Sequence, residues 1–271
     1  MKSESEGIGP VHRLWLRVER LANSFCTPEL NPFYYLGAIG IFFLWVILVS
    51  GVYLFIFYEI SRDGAYQSIE WLVHEQWYLG GFMRSLHHYA ASGLVIVMLL
   101  HALRCFVLKR YAHWRWIAWV SGVAIAWIVW AGGIFGYWMV WDDRAQLVAV
   151  LSAEMIENVP IFGLPLSLNF ARPENLADNF FYIILFIHFA SILVVFIIFL
   201  LLHLGRISKA MIHPPRKMMY SLFVVLLVVS ALNPAVSGGS ANLEVLSGEI
   251  PFDWFFLFIY PLLNYMSVPS L

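Results

Sequence analysis

RSLHHYAASGLVIVMLLHALR, Arg84 to Arg104, and HFASILVVFIIFLLLHLGR, His188 to Arg206, are two apolar stretches with a histidine near either end. Each reads as a membrane helix. His87 and His101 are 14 residues apart, and His188 and His203 are 15 apart. At about 100° per residue these steps hold each pair within about 60° of a common face, separated along the axis by roughly 21 to 22 Å. Two such helices face to face offer one histidine pair near each membrane surface. His88 competes for the role, but the 13 residues from His88 to His101 turn it about 140° off that face. His87 is the better partner.

A lone histidine in a membrane helix is ordinarily a hydrogen-bonded packing residue or part of a proton path. Four at matched spacing reverse that reading, because ionisable groups in hydrocarbon are costly and mark function. The pattern suits two six-coordinate haems stacked across a bilayer, His87 and His188 on one iron and His101 and His203 on the other. Bis-histidine ligation leaves no open iron position, so the expected chemistry is electron transfer, not oxygen binding.

Composition agrees. Hydrophobic residues make up 61% of the 271 and charged residues 12%, which excludes an ordinary soluble domain. Five runs approach spanning length: Phe33–Tyr58, Leu86–Leu108, Trp114–Val140, Phe180–Leu204 and Met218–Leu232, the last short. Four Lys and Arg (Lys2, Arg13, Arg17, Arg20) precede the first run, two (Arg62, Arg84) separate it from the second, and four (Arg104, Lys109, Arg110, Arg115) follow. Two more (Arg144, Arg172) precede the fourth run, four (Arg206, Lys209, Arg216, Lys217) precede the fifth, and none comes after it. By the positive-inside rule the N-terminus, the second-to-third loop and the fourth-to-fifth loop are cytoplasmic. His87 and His188 then lie near the outer side, and His101 and His203 near the inner.

The beginning of the chain shows no cleavable signal pattern. Val11 to Leu21 is helical and amphipathic, either a helix lying on the membrane or a solvated tail. Cys26 and Cys105 form no CxxCH site and fall on the cytoplasmic side, where a disulfide is not expected. The expected haems are therefore non-covalent. No glycine-rich phosphate loop, zinc spacing or nucleic-acid patch occurs. Gly37 and Gly51 are 14 apart on the first run, as are Gly122 and Gly136 on the third. Singly, such glycines let helices pack closely. Spaced like the histidines, they suggest flat walls where a macrocycle presses on the backbone.

With these features the sequence resembles cytochrome b of respiratory bc and photosynthetic bf complexes, nearer the short bf-type form. The two ligand helices carry the likeness, with NPFYYLG (Asn31 to Gly37) resembling the start of the family's first helix. GYWMVWDD (Gly136 to Asp143) resembles the end of its third, and ENVPIFGLPL (Glu157 to Leu166) the loop beneath its quinol pocket. The fold expected is an all-α membrane protein. It comprises a four-helix dihaem bundle, a fifth transmembrane helix and a short amphipathic helix on the outer side. The layout reads as a cytoplasmic surface segment (1–32), the dihaem core (33–210), and the fifth helix with a quinol-site segment (211–271).

The resemblance implies quinol oxidation near the outer haem, quinone reduction or binding near the inner one, and proton translocation coupled to the crossing of electrons. It implies a Rieske-type iron–sulfur partner, a cytochrome c-type subunit and a homodimeric complex in contact with the quinone pool and lipids. The chain stops at Leu271, about where the family's next helix would begin, so the remaining helices are expected on a separate subunit or not at all. Arg84 and Arg206 are candidates to pair with haem propionates, or are interface arginines. Tyr35 stands where the bf-type form has a cysteine binding a further haem, so a covalent third haem is not expected. Val140–Trp141 replaces the family's Pro–Trp.

The stretch PFDWFFLFIYPLL, Pro251 to Leu263, resembles the family's PEWY segment. Aligned on the tryptophan, Asp253 takes the place of the proton-accepting glutamate, Trp254 the tryptophan and Phe255 the tyrosine. Alternatively Asp253 only caps the helix that follows. The changes at Val140 and Phe255 support a rival function: a non-bifurcating relay and membrane anchor joining the quinone pool to another redox module.

Overall fold

The computed structural model describes residues 9–157 and 178–245. Asp253, Trp254 and the outer amphipathic helix expected after Pro251 lie outside them. Every extended element among the described residues is helical: α1 (Pro10–Phe25), α2 (Leu36–Phe57), α3 (Gly64–His74), α4 (Phe82–Val107), α5 (Trp116–Val140), α6 (Asp143–Glu157), α7 (Asp178–Gly205) and α8 (Arg216–Leu232). A π-helical turn, Trp77–Gly81, leads into α4, and another, Phe186–Ser191, interrupts α7.

The first four apolar runs are helices that can cross a membrane: Leu36–Phe57, Trp77–Val107, His113–Val140 and Asp178–Gly205. Between 17% and 28% of each apolar window is buried, and the exposed remainder carries Trp45, Val49, Ile56, Val194 and Leu201. Helices apolar all round whose outer faces stay uncovered are built for lipid. Trp77 and Tyr78 at the start of one span, and Trp114 and Trp116 at the start of another, are exposed rings suited to the membrane interface. The fifth run forms α8, 17 residues, at the lower end of spanning length.

The chain divides into two compact units. The first comprises Met1–Val49, Leu86–Trp127 and Phe196–Leu232. Its core includes Leu36, Ile39, Phe43, Leu94, Ile125 and Phe196. The Asn31 side chain accepts from Phe33 N at 3.0 Å and starts the short 3₁₀ turn Pro32–Tyr34 that leads into α2.

The second unit comprises Ser50–Ser85, Ile128–Val195 and Asn233–Leu271. Trp138, Trp141, Phe180 and Phe181 form its aromatic centre, with ring centroids 5.3 to 5.9 Å apart. Trp141, between α5 and α6, has φ 54°, a left-handed conformation that costs roughly 1–2 kcal/mol. Its burial among the two phenylalanines holds it there. Two further helices, α3 and α6, lie between the apolar runs. In α3, Ala65, Ile69 and Leu72 follow the i, i+4, i+7 pattern and are buried.

Candidate functional site

Helical side chains lean toward the N-terminus, so each covers the turn before its own Cα. A glycine therefore uncovers the carbonyl four residues earlier, and three of the four histidines use that opening. His203 Nδ1 lies 2.7 Å from Ala118 O, His188 Nδ1 lies 3.0 Å from Gly132 O, and His87 Nδ1 lies 3.1 Å from Ile47 O. These carbonyls precede Gly122, Gly136 and Gly51 by four residues. A carbonyl only accepts, so Nδ1 carries the proton and Nε2 keeps its lone pair for a metal.

At three of the four spaced glycines the nearest neighbour is a histidine ring, and Gly37 and Gly122 also line the cavity described below. A Cβ on Gly122 would lie 3.1 Å from His203 Cε1, on Gly136 3.3 Å from His188 Cε1, and on Gly37 3.3 Å from His101 Cε1. The space that glycine leaves holds the imidazole itself.

His101 is the exception. Four residues before Gly37 is Phe33, which sits in the 3₁₀ turn ahead of α2. The ring of His101 instead has Cys105 Sγ 3.9 Å from Nε2. His101 and His203 come together in the first unit, with ring centroids 6.3 Å apart and planes at 69°. They line a cavity of about 420 Å³ together with Gly37, Gly122 and Arg206. Its walls are largely apolar, and Arg104, Arg110, Arg115, Arg206 and Lys209 are the cations among its lining residues. Burial, and then the neighbouring Arg104, disfavour the charged form of Arg110 in the connecting loop.

A haem fits this arrangement. His101 and His203 would hold its iron, since two imidazoles sharing one metal at nitrogen distances of about 2 Å would have ring centres roughly 6 Å apart. The apolar walls suit a macrocycle, and the cations in the lining suit its carboxylates.

The extra residue between His188 and His203 is explained by α7. His188 sits in the π-helical turn Phe186–Ser191, which absorbs one residue, so a spacing of 15 acts as the 14 of the other helix.

Arg84, in the second unit, is held by the segment after α8. Its Nη2 donates to Ser237 Oγ at 2.8 Å, and its Nη1 lies 3.7 Å from Glu70 Oε1. The same segment is fixed by Asp142, which accepts from Gly238 N at 3.0 Å, and by Ser85, which accepts from Ala235 N at 2.9 Å. Tyr66 donates to Gly238 O at 2.9 Å, and its phenol pKa is raised, first by burial and then by Glu70. Sequence reasoning missed these contacts, along with Cys105. The carbonyl acceptors could have been inferred from the glycines.

Fold and site together define the class: an integral membrane helix bundle of the kind that carries b-type haem. The sequence profile of the cytochrome b/b6/petB family matches residues 21–178, more than half of the chain, which therefore belongs to that family. Cytochrome b6 of Desmonostoc sp. is 25% identical over 149 residues, 55% of this chain and 69% of that one. Cytochrome b6 of Mastigocladus laminosus is 26% identical over 156 residues, 56% and 72% of the respective chains. A chain of a hyperthermophilic respiratory Complex III superposes with a TM-score of 0.70 over 94% of this chain and 77% of that one, at 16% identity, a likeness of fold.

Proposed function

We propose that the chain is the dihaem cytochrome b subunit of a quinol-oxidising bc-type complex. The carrying observation is the His101–His203 pair, 6.3 Å apart across an apolar cavity. By the same reading, His87 and His188 hold a second haem. Bound there, the haems supply one-electron transfer.

The residues supply position and protons. Backbone carbonyls orient the imidazoles, and the glycines give them room. Arg84 and Arg206 are placed in this reading to meet propionates. The N-terminus is cytoplasmic by the distribution of Lys and Arg. In this reading quinol is oxidised on the outer side, with the Asp253 carboxylate as its proton acceptor and Trp254 the neighbouring residue of the same motif. In this reading a Rieske-type protein and a cytochrome c-type subunit are its partners.

Purifying the complex from membranes and adding quinol tests this. Reduction of the chain's b-type haem in a preparation that retains a Rieske iron–sulfur signal supports it. Reduction without any such partner replaces it with the non-bifurcating relay.

A further inference from the structure

α1 carries a carboxylate into the interior of the first unit. Glu19 is 6% exposed and Arg104 is 8% exposed. Trp15 Nε1 and Arg104 Nε both donate to Glu19 Oε1, each at 2.7 Å. Asn31, fully buried, donates to Glu19 O at 3.0 Å and to Asn23 Oδ1 at 2.6 Å. Asn23 donates in turn to the Tyr34 hydroxyl at 3.0 Å, and the Tyr34 ring lies 5.5 Å from Arg104 Cζ. Arg104 and Tyr34 both line the cavity of His101 and His203.

Among the described residues, five cations line that cavity and no carboxylate does. Among the described residues, Glu19–Arg104 is the one ion pair that a lining residue makes. A buried pair is costly to assemble, and removing one partner leaves the other as an uncompensated charge in a medium of low polarity. Loss of the Glu19 contact would therefore turn the Arg104 guanidinium, which shares the cavity lining with the histidine pair, from half of a neutral pair into a full positive charge.

We propose that Glu19 is a positioning and charge-setting residue for the His101–His203 site, so that docking of α1 sets the electron affinity of the haem held there. This rests on the bis-histidine reading above. Reduction adds one negative charge within the cavity. An uncompensated Arg104 favours the reduced state, and the Glu19 carboxylate opposes that bias.

The test is an equilibrium redox titration of the intact complex, preceded by a pyridine haemochrome count. Two b haems per chain in the unaltered protein keep the bis-histidine reading; a different count removes that reading and this inference with it. With two haems present, Glu19→Gln should raise the midpoint of one component and leave the other in place. At the original midpoint its reduced-to-oxidised ratio should rise about tenfold. Arg104→Gln should shift the same component downward, and the double variant should return close to the original value. A purely structural role would not produce opposite signs that cancel. Unchanged midpoints in Glu19→Gln with both haems retained, or shifts of the same sign in the two single variants, would overturn the proposal.

Discussion

His203 occupies the space that a side chain on Gly122 would fill: a Cβ there would lie 3.1 Å from His203 Cε1, while His203 Nδ1 lies 2.7 Å from Ala118 O. The glycine thus serves the histidine twice, by giving it room and by uncovering its acceptor. Gly122→Ala should displace the ring by a few tenths of an ångström, and Gly122→Leu should abolish one of two haems. Gly132→Ala is the control, because its Cβ would meet Ile192 at an ordinary 3.5 Å. Haem per chain, measured on the purified variants, should fall for Gly122→Leu and stay unchanged for Gly132→Ala.

The π-helical turn makes a second prediction. If Phe186–Ser191 exists to absorb one residue, deleting Ser191 should let α7 run as continuous α-helix with both histidines on their face. Haem content should be retained. Inserting one alanine after Ser191 adds a residue that a single π turn does not absorb, and should turn one histidine about 100° away. That variant should lose haem.

Asp142 ties the segment after α8 to the second unit. It is 5% exposed and accepts from Gly238 N and Ala145 N at 3.0 and 2.8 Å. Asp142→Ala strands both donors and should cost about 2 kcal/mol or more. Limited proteolysis should then cut between Asn233 and Val245 faster than in the unaltered protein.

A fourth prediction falls on Asp253, outside the described residues. If its carboxylate accepts the quinol proton, Asp253→Asn should slow quinol-driven haem reduction by about tenfold or more, while Asp253→Glu keeps most of the rate. Rapid-mixing spectroscopy reads this directly. Unchanged rates in Asp253→Asn would leave the residue as a helix cap.

How much of this was legible depended on whether a feature repeats. The apolar runs are long, so the four long helices were readable from composition, and the repeating histidine and glycine spacings named the candidate residues. The π turn was not readable, because one additional residue in an apolar stretch leaves no mark in composition. Glu19 and Arg104 are 85 residues apart, and each reads alone as an ordinary charge at a membrane edge. Their pairing is a tertiary fact. Arg84 was recognised as important, yet Ser237 and Glu70, which hold it, come from segments whose polarity announces only a loop. The short α3 and α6 were missed for a similar reason: their apolar stripes are narrow beside the spans around them.

The central claim is that His101 and His203 jointly hold one haem iron. Pyridine haemochrome analysis with low-temperature electron paramagnetic resonance, on the unaltered chain and on His203→Ala and His101→Ala, tests it most directly. About two low-spin b haems per chain are expected in the unaltered protein, with the same single low-spin signal missing from both variants. Two signals persisting in either variant, or different signals lost from the two, would contradict it.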